Sequence, residues 1–318
     1  MAITEPEAPP RRWWILATIA IAQLMVALDS TVMNVALPSV QAELDFSDGS
    51  RTWIVTAYTL AFGSLLLLSG RLADRFGRKN VFIIGLTGFA IASGVGGAAG
   101  SFGMLVASRA VQGAFAALLA PAALSLLTTT FSGGRDRARA FGIYASIGIG
   151  GSAIGLLLGG VLTEYLSWRW TMYINVVFAL VAVAGAFLFL RGSHQVRATS
   201  RIDVPGAVLV SAALFGIVFG ISNAAEDGWD SPLTFGFLAG GVVLLAVFVV
   251  MQARIANPLL PLRVVLDRGR GAGLTGMFFA AAGMFAVVFF TVYYVQGVLG
   301  YTALQSGIAF LPLPLTLI

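Results

Sequence analysis

Residues 70–79 read Gly-Arg-Leu-Ala-Asp-Arg-Phe-Gly-Arg-Lys, and this charged segment separates two apolar runs, Trp53–Ser69 and Val81–Ala99. Half of its side chains are charged, in a chain where 10% of the residues are. A link this short between two membrane-length runs predicts a tight helical hairpin, with Gly70 and Gly77 giving backbone freedom at its ends. Cytoplasmic loops of membrane proteins tend to be basic, but the spacing of residues here is more specific than that tendency.

The composition of the whole chain is typical of a membrane protein. Hydrophobic residues make up 58% of the 318 residues, and the mean hydropathy is +0.91. The chain has no cysteine, which excludes disulfides and thiolate metal sites, and its single histidine, His194, argues against a histidine-based metal centre. The net charge of +5 does not require a nucleic-acid partner, because basic loops can face anionic lipid headgroups.

Several segments are long enough to cross a bilayer, which takes about 20 mainly apolar residues. The complete candidates are residues 14–36, 52–70, 80–100, 103–130, 139–162, 170–190, 204–222, 233–252 and 272–296. A tenth run begins near Ser306 and reaches Ile318, too short for the roughly 30 Å hydrocarbon core. We therefore expect an all-α polytopic transmembrane bundle with nine complete spans, a truncated tenth span, and a chain that is a fragment.

The placement of charge predicts the topology. If the N-terminus is cytoplasmic, every lysine and arginine except Arg51, Arg109 and Arg169 falls on the inner side. The outer segments hold mainly acidic residues, among them Glu43 and Glu164. This asymmetry follows the positive-inside rule and independently supports the number of spans.

Two charged residues remain inside the predicted spans, Asp29 and Arg109. A charge at the centre of a spanning helix costs about 2.5 kcal/mol or more, so each is a candidate functional residue. A rise of 1.5 Å per residue places Asp29 about 22 Å and Arg109 about 21 Å from the inner surface. The first and fourth spans would therefore pair the two side chains if they are neighbours.

Two interpretations of this pair stay open. In the first, a buried ion pair only fixes packing. In the second, the pair is a proton-linked switch, because burial favours a neutral carboxylic acid and a nearby guanidinium favours a carboxylate. Asp29 is the only carboxylate within the predicted spans, so a proton carrier here must be Asp29. Gln112, one turn from Arg109, is expected to hold the guanidinium or a substrate, or simply to make an interhelical hydrogen bond.

The fifth span carries a stripe of glycines. Gly151, Gly155 and Gly159 recur at every fourth position, and Gly160 follows directly. Such a double small-xxx-small pattern predicts close packing against a neighbouring helix. A sliding surface is the functional alternative, and it depends on the same close approach.

The motifs along the chain resemble those of the drug:proton antiporters of the major facilitator superfamily, in the branch with fourteen spanning helices. The resemblance covers nearly the whole chain. It is carried by residues 70–79, Leu28–Pro38, Leu105-x-x-x-Arg109-x-x-Gln-Gly113, Gly155-x-x-x-Gly159-Gly160, Trp168–Asn175, Asn257–Leu262 and Tyr294–Tyr301.

The resemblance implies proton-coupled efflux of hydrophobic, drug-like compounds, with Asp29 and Arg109 as the coupling residues. Asn34 and Gln112 become candidates for contact with the substrate. The segment between the second and third spans becomes a gating loop, in which Asp74 latches the inner end of the second helix against the opposite half of the transporter. The loop residues concerned are Gly70, Asp74, Arg75, Gly77, Arg78 and Lys79.

Two positions depart from the family's pattern. Leu156 stands where the fifth-helix motif has proline after glycine, and Val177 stands where the sixth helix has proline. The first departure weakens the prediction of antiport relative to symport or facilitated transport, and it does not affect the predicted fold. An importer or metabolite exporter of another substrate class therefore remains an alternative, as does a truncated product that does not transport and associates with a membrane partner.

The expected organisation has five parts. They are a cytoplasmic tail (1–12), a six-helix domain (13–190), a cytoplasmic linker (191–203), two additional linker helices (204–252) and the start of a C-terminal transporter domain (253–318). We expect a multi-pass protein of the cell (inner or plasma) membrane with its N-terminus in the cytoplasm. Its expected partners are a small hydrophobic substrate, protons, a bilayer with anionic headgroups and the second half of the transporter. The chain shows no nucleophile–base set or phosphate loop, so we expect neither enzymatic activity nor a cofactor other than the coupling proton.

Overall fold

The computed structural model of the chain consists of helices. It describes residues 11–47, 49–190, 203–255 and 258–301, together with residues 305 and 309, and those residues include no strand. The predicted all-α class is therefore confirmed. The helices are α1 Arg11–Leu44, α2 Thr52–Phe76, α3 Arg78–Gly97, α4 Phe102–Thr130, α5 Gly134–Tyr165, α6 Arg169–Phe189, α7 Val204–Asp227, α8 Pro232–Arg254, α9 Leu262–Val265 and α10 Arg268–Gly297, with a 3-10 turn at Gly49–Arg51.

The local sequence explains where several helices begin. Ser101, Asp203 and Asp267 each precede a helix and accept a hydrogen bond from the backbone N–H three residues further on, at 3.3, 2.8 and 2.9 Å. These caps satisfy donors that the first turn of a helix leaves unpaired. The interiors of the helices are largely apolar, as a bilayer requires, and their backbone groups bond within each helix.

Helices α1 to α8 are each long and apolar enough to cross a membrane, and they cover the first eight predicted spans. Some run well beyond the prediction: α1 is 34 residues long, where the hydropathy pattern indicated 14–36. The ninth predicted span, 272–296, lies within α10, which has 30 residues. Of the predicted tenth run, 306–318, only residue 309 lies among the described residues.

The charged segment between α2 and α3 is not an extended loop. Helix α2 continues through Gly70 to Phe76 and α3 begins at Arg78, which leaves only Gly77 between them. Gly77 has a φ of +88°, a left-handed value that favours glycine, so its predicted role in the turn is confirmed. The prediction for Gly70 was wrong: arginine, leucine and alanine are good helix formers, and the helix continues beyond the apolar run.

The first six helices pack with an internal symmetry. Helix α1 packs against α5 and α6, α4 packs against α2 and α3, and α3 and α6 pack against each other. Exchanging α1 with α4, α2 with α5 and α3 with α6 leaves this set of neighbours unchanged, as expected for an inverted repeat of three plus three helices. The symmetry makes α1 and α4 equivalent helices, and they also contact each other.

Helices α7 and α8 form a hairpin beside α2. Asn223 of α7 donates to Thr234 of α8 at 2.9 Å, and Ser211 of α7 donates to the carbonyl oxygen of Ser64 in α2 at 2.7 Å. They occupy the predicted position of the linker helices, although the division into domains stays a prediction. Residues 191–202 of the predicted cytoplasmic linker lie outside the described residues.

Candidate functional site

The two charges predicted within the membrane form an ion pair at the centre of the six-helix bundle. Arg109 Nη1 of α4 donates to Asp29 Oδ2 of α1 at 2.7 Å, and each side chain is 1% exposed. The sequence-based estimate of equal depth is therefore confirmed by direct contact. The role of the pair in proton coupling stays a prediction.

The carboxylate of Asp29 accepts hydrogen bonds on both oxygens. Besides the bond from Arg109 to Oδ2, Oδ1 accepts from Gln112 Nε2 at 3.2 Å and from Asn175 Nδ2 of α6 at 2.7 Å. Three hydrogen-bond donors therefore surround this one buried side chain. The amide donors thus supplement the guanidinium in compensating for the loss of water around Asp29.

The guanidinium of Arg109 is likewise held from several sides. Its Nη1 also donates to Gln112 Oε1 at 3.0 Å, and its Nε donates to the carbonyl oxygen of Ile54 in α2 at 3.3 Å. Its Cζ lies 4.4 Å from the centre of the Tyr58 ring, within the range of a cation–π contact. Gln112 is itself locked, because its Nε2 also donates to Ser93 Oγ of α3 at 2.7 Å.

Small residues let the helices approach at the level of this network. A Cβ at Gly113, next to Gln112, would overlap the carbonyl oxygen of Tyr58, so α4 and α2 are in backbone contact here. A Cβ at Gly155 of α5 would overlap Thr31 and lie 3.1 Å from the carbonyl oxygen of Leu28. The close approach on both sides packs α1 and α4 tightly around the ion pair.

The predicted glycine stripe packs as expected at three of its four positions. Gly151, Gly155 and Gly159 are buried, and a Cβ on any of them would lie no more than 3.1 Å from the nearest atom of α1. Gly160 was also predicted to pack, and this was wrong. It lies one residue further around the helix, and a Cβ there would meet no atom within 4 Å.

The two predicted substrate contacts differ in their surroundings. Gln112 is fully buried and bonded to Arg109, Asp29 and Ser93. It therefore both holds the guanidinium and makes interhelical hydrogen bonds, which were two of its predicted roles. Asn34 lies on an exposed face of α1 and donates to the carbonyl oxygen of Ser30 at 3.1 Å. It is separate from the network, and its contact with a substrate stays a prediction.

The predicted gating segment makes contacts at the helix ends that were predicted to be cytoplasmic. Lys79 donates to the carbonyl oxygen of Leu190, at the end of α6, and Arg71 donates to the carbonyl oxygens of Pro258 and Leu259, between α8 and α9. Asp74 and Arg75 are exposed. Arg78 has two buried guanidinium nitrogens, Nε and Nη1, without a hydrogen-bond partner among the described residues.

Three members of the network were not predicted as site residues. Asn175 had been noted within a motif, and an amide in an apolar span is a signal that could have identified it. Tyr58 and Ser93 carry no comparable signal, because hydroxyl-bearing residues are common along spanning helices. Their participation follows from the packing of α2 and α3 against α4.

An open groove of about 1000 Å³ lies between the N-terminal parts of α1 and α5. Its lining is mainly aliphatic, and Trp13 and Arg139 contribute to it near the start of the two helices. Among the described residues, no group of three histidine, cysteine, aspartate or glutamate side chains is placed to hold a metal ion.

Known proteins are similar to this chain in sequence or in fold. The chain is 49% identical over 306 residues to the puromycin resistance protein of Streptomyces alboniger, covering 96% of this chain and 60% of that protein. It is 44% identical to the cephamycin export protein of Amycolatopsis lactamdurans, with 93% of this chain and 62% of that protein covered. The chain thus spans about 60% of the length of these relatives.

A solved structure shows the same fold at low sequence identity. The human organic anion transporter MFSD10 aligns with a TM-score of 0.59 at 19% identity, over 97% of this chain and 70% of that one. The family model of the Major Facilitator Superfamily matches residues 19–318. With its eight membrane-length helices, this chain is a multi-pass membrane protein that belongs to the Major Facilitator Superfamily of transporters.

Proposed function

We propose that this chain is part of an exporter that moves hydrophobic, drug-like molecules out of the cell in exchange for protons, with Asp29 and Arg109 coupling the two movements. The observation that carries the proposal is the buried ion pair between the two symmetry-equivalent helices α1 and α4. The names of related proteins, which refer to resistance to or export of antibiotics, support the substrate class.

The geometry suggests how a proton would act. Protonation of Asp29 removes its charge and weakens its bond to Arg109, whereas Arg109 keeps Gln112 and the carbonyl of Ile54 as partners. Helix α1 would then be held less firmly against α4. In alternating access such a change biases one half of the transporter relative to the other, so we propose that export requires a second half in addition to α1–α6.

The contacts at the helix ends support the proposed grouping of these ends into two sides, and the distribution of basic residues supports the orientation. Arg12 pairs with Asp136, and Lys79 bonds the end of α6, so these links join segments assigned to the cytoplasmic side. Arg169 pairs with Glu43, and both were assigned to the outer side. We propose a cell-membrane location with the N-terminus in the cytoplasm and the proton as the only coupling ion.

The test uses the full-length protein in inside-out vesicles with an acidified lumen. We expect puromycin or a fluorescent hydrophobic cation to accumulate in the lumen, and we expect Asp29→Asn to reduce proton-driven accumulation at least about tenfold, as loss of a coupling of roughly 1.4 kcal/mol or more would. Asp136→Asn, which neutralises a half-exposed carboxylate at the start of α5, is the control and should retain accumulation. Unchanged accumulation in Asp29→Asn would place coupling elsewhere, and accumulation independent of the gradient would favour facilitated transport.

A further inference from the structure

The two amides that bond Asp29 differ in how firmly they are held. Both ends of the Gln112 amide are held by partners: Oε1 accepts from Arg109, and Nε2 donates to both Asp29 and Ser93. Asn175 is equally buried, yet its single bond within the network is the one from Nδ2 to Asp29 Oδ1 at 2.7 Å. Its Oδ1 is buried and has no hydrogen-bond partner among the described residues.

A buried acceptor without a partner is costly, and such atoms in native structures need an explanation. A carboxylate accepts hydrogen bonds only, whereas a carboxylic acid also has an O–H to donate. An amide carries both a donor and an acceptor, and half a turn of its terminal group exchanges them. Asn175 therefore has the chemistry to bond either form of Asp29, whereas Gln112 is held in one orientation by its other partners.

We propose that Asn175 is a positioning residue for Asp29 that bonds it in both protonation states: its amide N–H donates to the carboxylate, and after half a turn its carbonyl oxygen accepts from the carboxylic acid. The free Oδ1 is then the acceptor that the protonated state uses. The inference rests on the proposed function, because it concerns a proton that Asp29 binds and releases.

The other groups around Asp29 are compatible with this role. The charged and titratable groups beside it in the described part of the chain are Arg109 of α4, which bonds it, and Tyr58 of α2, whose ring lies against Arg109. On α5, Gly155 packs against Leu28, and α3 contributes Ser93 through Gln112. Arg169 of α6 is held by Glu43 at the outer end.

The test measures protonation of Asp29 directly. Infrared difference spectroscopy on the purified full-length protein follows carboxylic acid bands during acid titration, and the band that disappears in Asp29→Asn reports this residue. In Asn175→Leu, which keeps the branched shape of the side chain without hydrogen bonding, we expect the half-protonation point to rise by about one pH unit, a tenfold change, because a bond to a carboxylate is stronger than one to its acid. In Asn175→Val the half-protonation point should shift in the same direction. Because valine is smaller than leucine, this second variant shows whether overpacking causes the shift.

A matched control separates positioning from a general loss of packing. Asn223→Leu removes another buried amide, in the α7–α8 hairpin, and should leave the Asp29 band unchanged. If Asn175 also bonds the acid form, the carbonyl stretching frequency of the protonated Asp29 band should change in both Asn175 variants. An unchanged frequency, an unshifted half-protonation point, or equal changes in Asn223→Leu would overturn the proposal for Asn175 while leaving proton coupling intact. The absence of any band that depends on Asp29 overturns both proposals.

Discussion

Three ion pairs join the described helices, and they have similar lengths in very different surroundings. Arg109–Asp29 spans 2.7 Å at the centre of the bundle, with both side chains 1% exposed. Arg12–Asp136, at the predicted inner ends, spans 2.5 Å, and Arg169–Glu43, at the predicted outer ends, spans 2.8 Å, with side chains 24% to 47% exposed. The comparison shows that distance alone does not indicate what a pair contributes.

The difference lies in the water that each pair has lost. Exposed pairs contribute about 0–1 kcal/mol, because water competes and side-chain freedom is lost. Removing one partner of a buried pair costs about 3–5 kcal/mol, because an uncompensated charge remains inside the protein. The central pair is therefore the sensitive one, and this is the property that a proton-operated switch requires.

The largest effect is expected from breaking the central pair on one side only. Arg109→Leu leaves the charge of Asp29 buried with only amide donors, and we expect it to lower the free energy of unfolding by about 3–5 kcal/mol. Unfolding in mixed micelles with a denaturing detergent measures this change. Arg12→Leu, which breaks the inner pair in the same way, is the matched control.

The double variant sharpens this prediction. Replacing both charges, with Asp29→Asn and Arg109→Leu together, removes the uncompensated charge, so the double variant should unfold less readily than Arg109→Leu alone. The Asp29→Asn variant alone completes the comparison. If the loss of unfolding free energy in the double variant equals the sum of the losses in the two single variants, the two residues act independently.

The central pair could be predicted because charge is scarce in the spans. With Asp29 and Arg109 as the only charges within them, counting residues from the helix ends was enough to place both at one level. The surrounding hydrogen bonds could not be predicted in this way. Whether Asn175 reaches Asp29 depends on the rotation of α1 and α6 about their axes, which an apolar sequence with a weak pattern does not determine.

An intermediate effect is expected at the glycines of α5, where Gly155 packs against α1 and Gly160 does not. Gly155→Ala places a methyl group against the backbone of Leu28 and the side chain of Thr31. We expect it to destabilise the protein by about 1–3 kcal/mol through overpacking. Gly160→Ala points into open space and gains helix propensity, so it should be neutral or stabilising by up to about 1 kcal/mol. If the two variants had the same free energy of unfolding, the contact between Gly155 and α1 would not contribute to stability.

The ends of the helices were harder to predict than the spans. Residues 70–79 were expected to form a loop, because charges mark where a chain leaves the hydrocarbon. A helix does not end at that boundary, since its own residues favour continuing, and only Gly77 separates α2 from α3. Hydropathy locates the membrane, whereas caps and glycines locate the ends of the helices.

The smallest effect is expected at the inner ends. Asp136→Asn removes the charge that pairs with Arg12 while keeping a side chain of the same shape, and both groups are partly exposed. We expect the free energy of unfolding to fall by about 0.2–1 kcal/mol, and by less at high salt, because water and ions already screen the pair. Denaturation of the variant and the unmodified protein at low and high salt measures this difference. A loss approaching that of Arg109→Leu would mean that the inner pair is shielded from water in the membrane, and the contrast between centre and ends would then disappear.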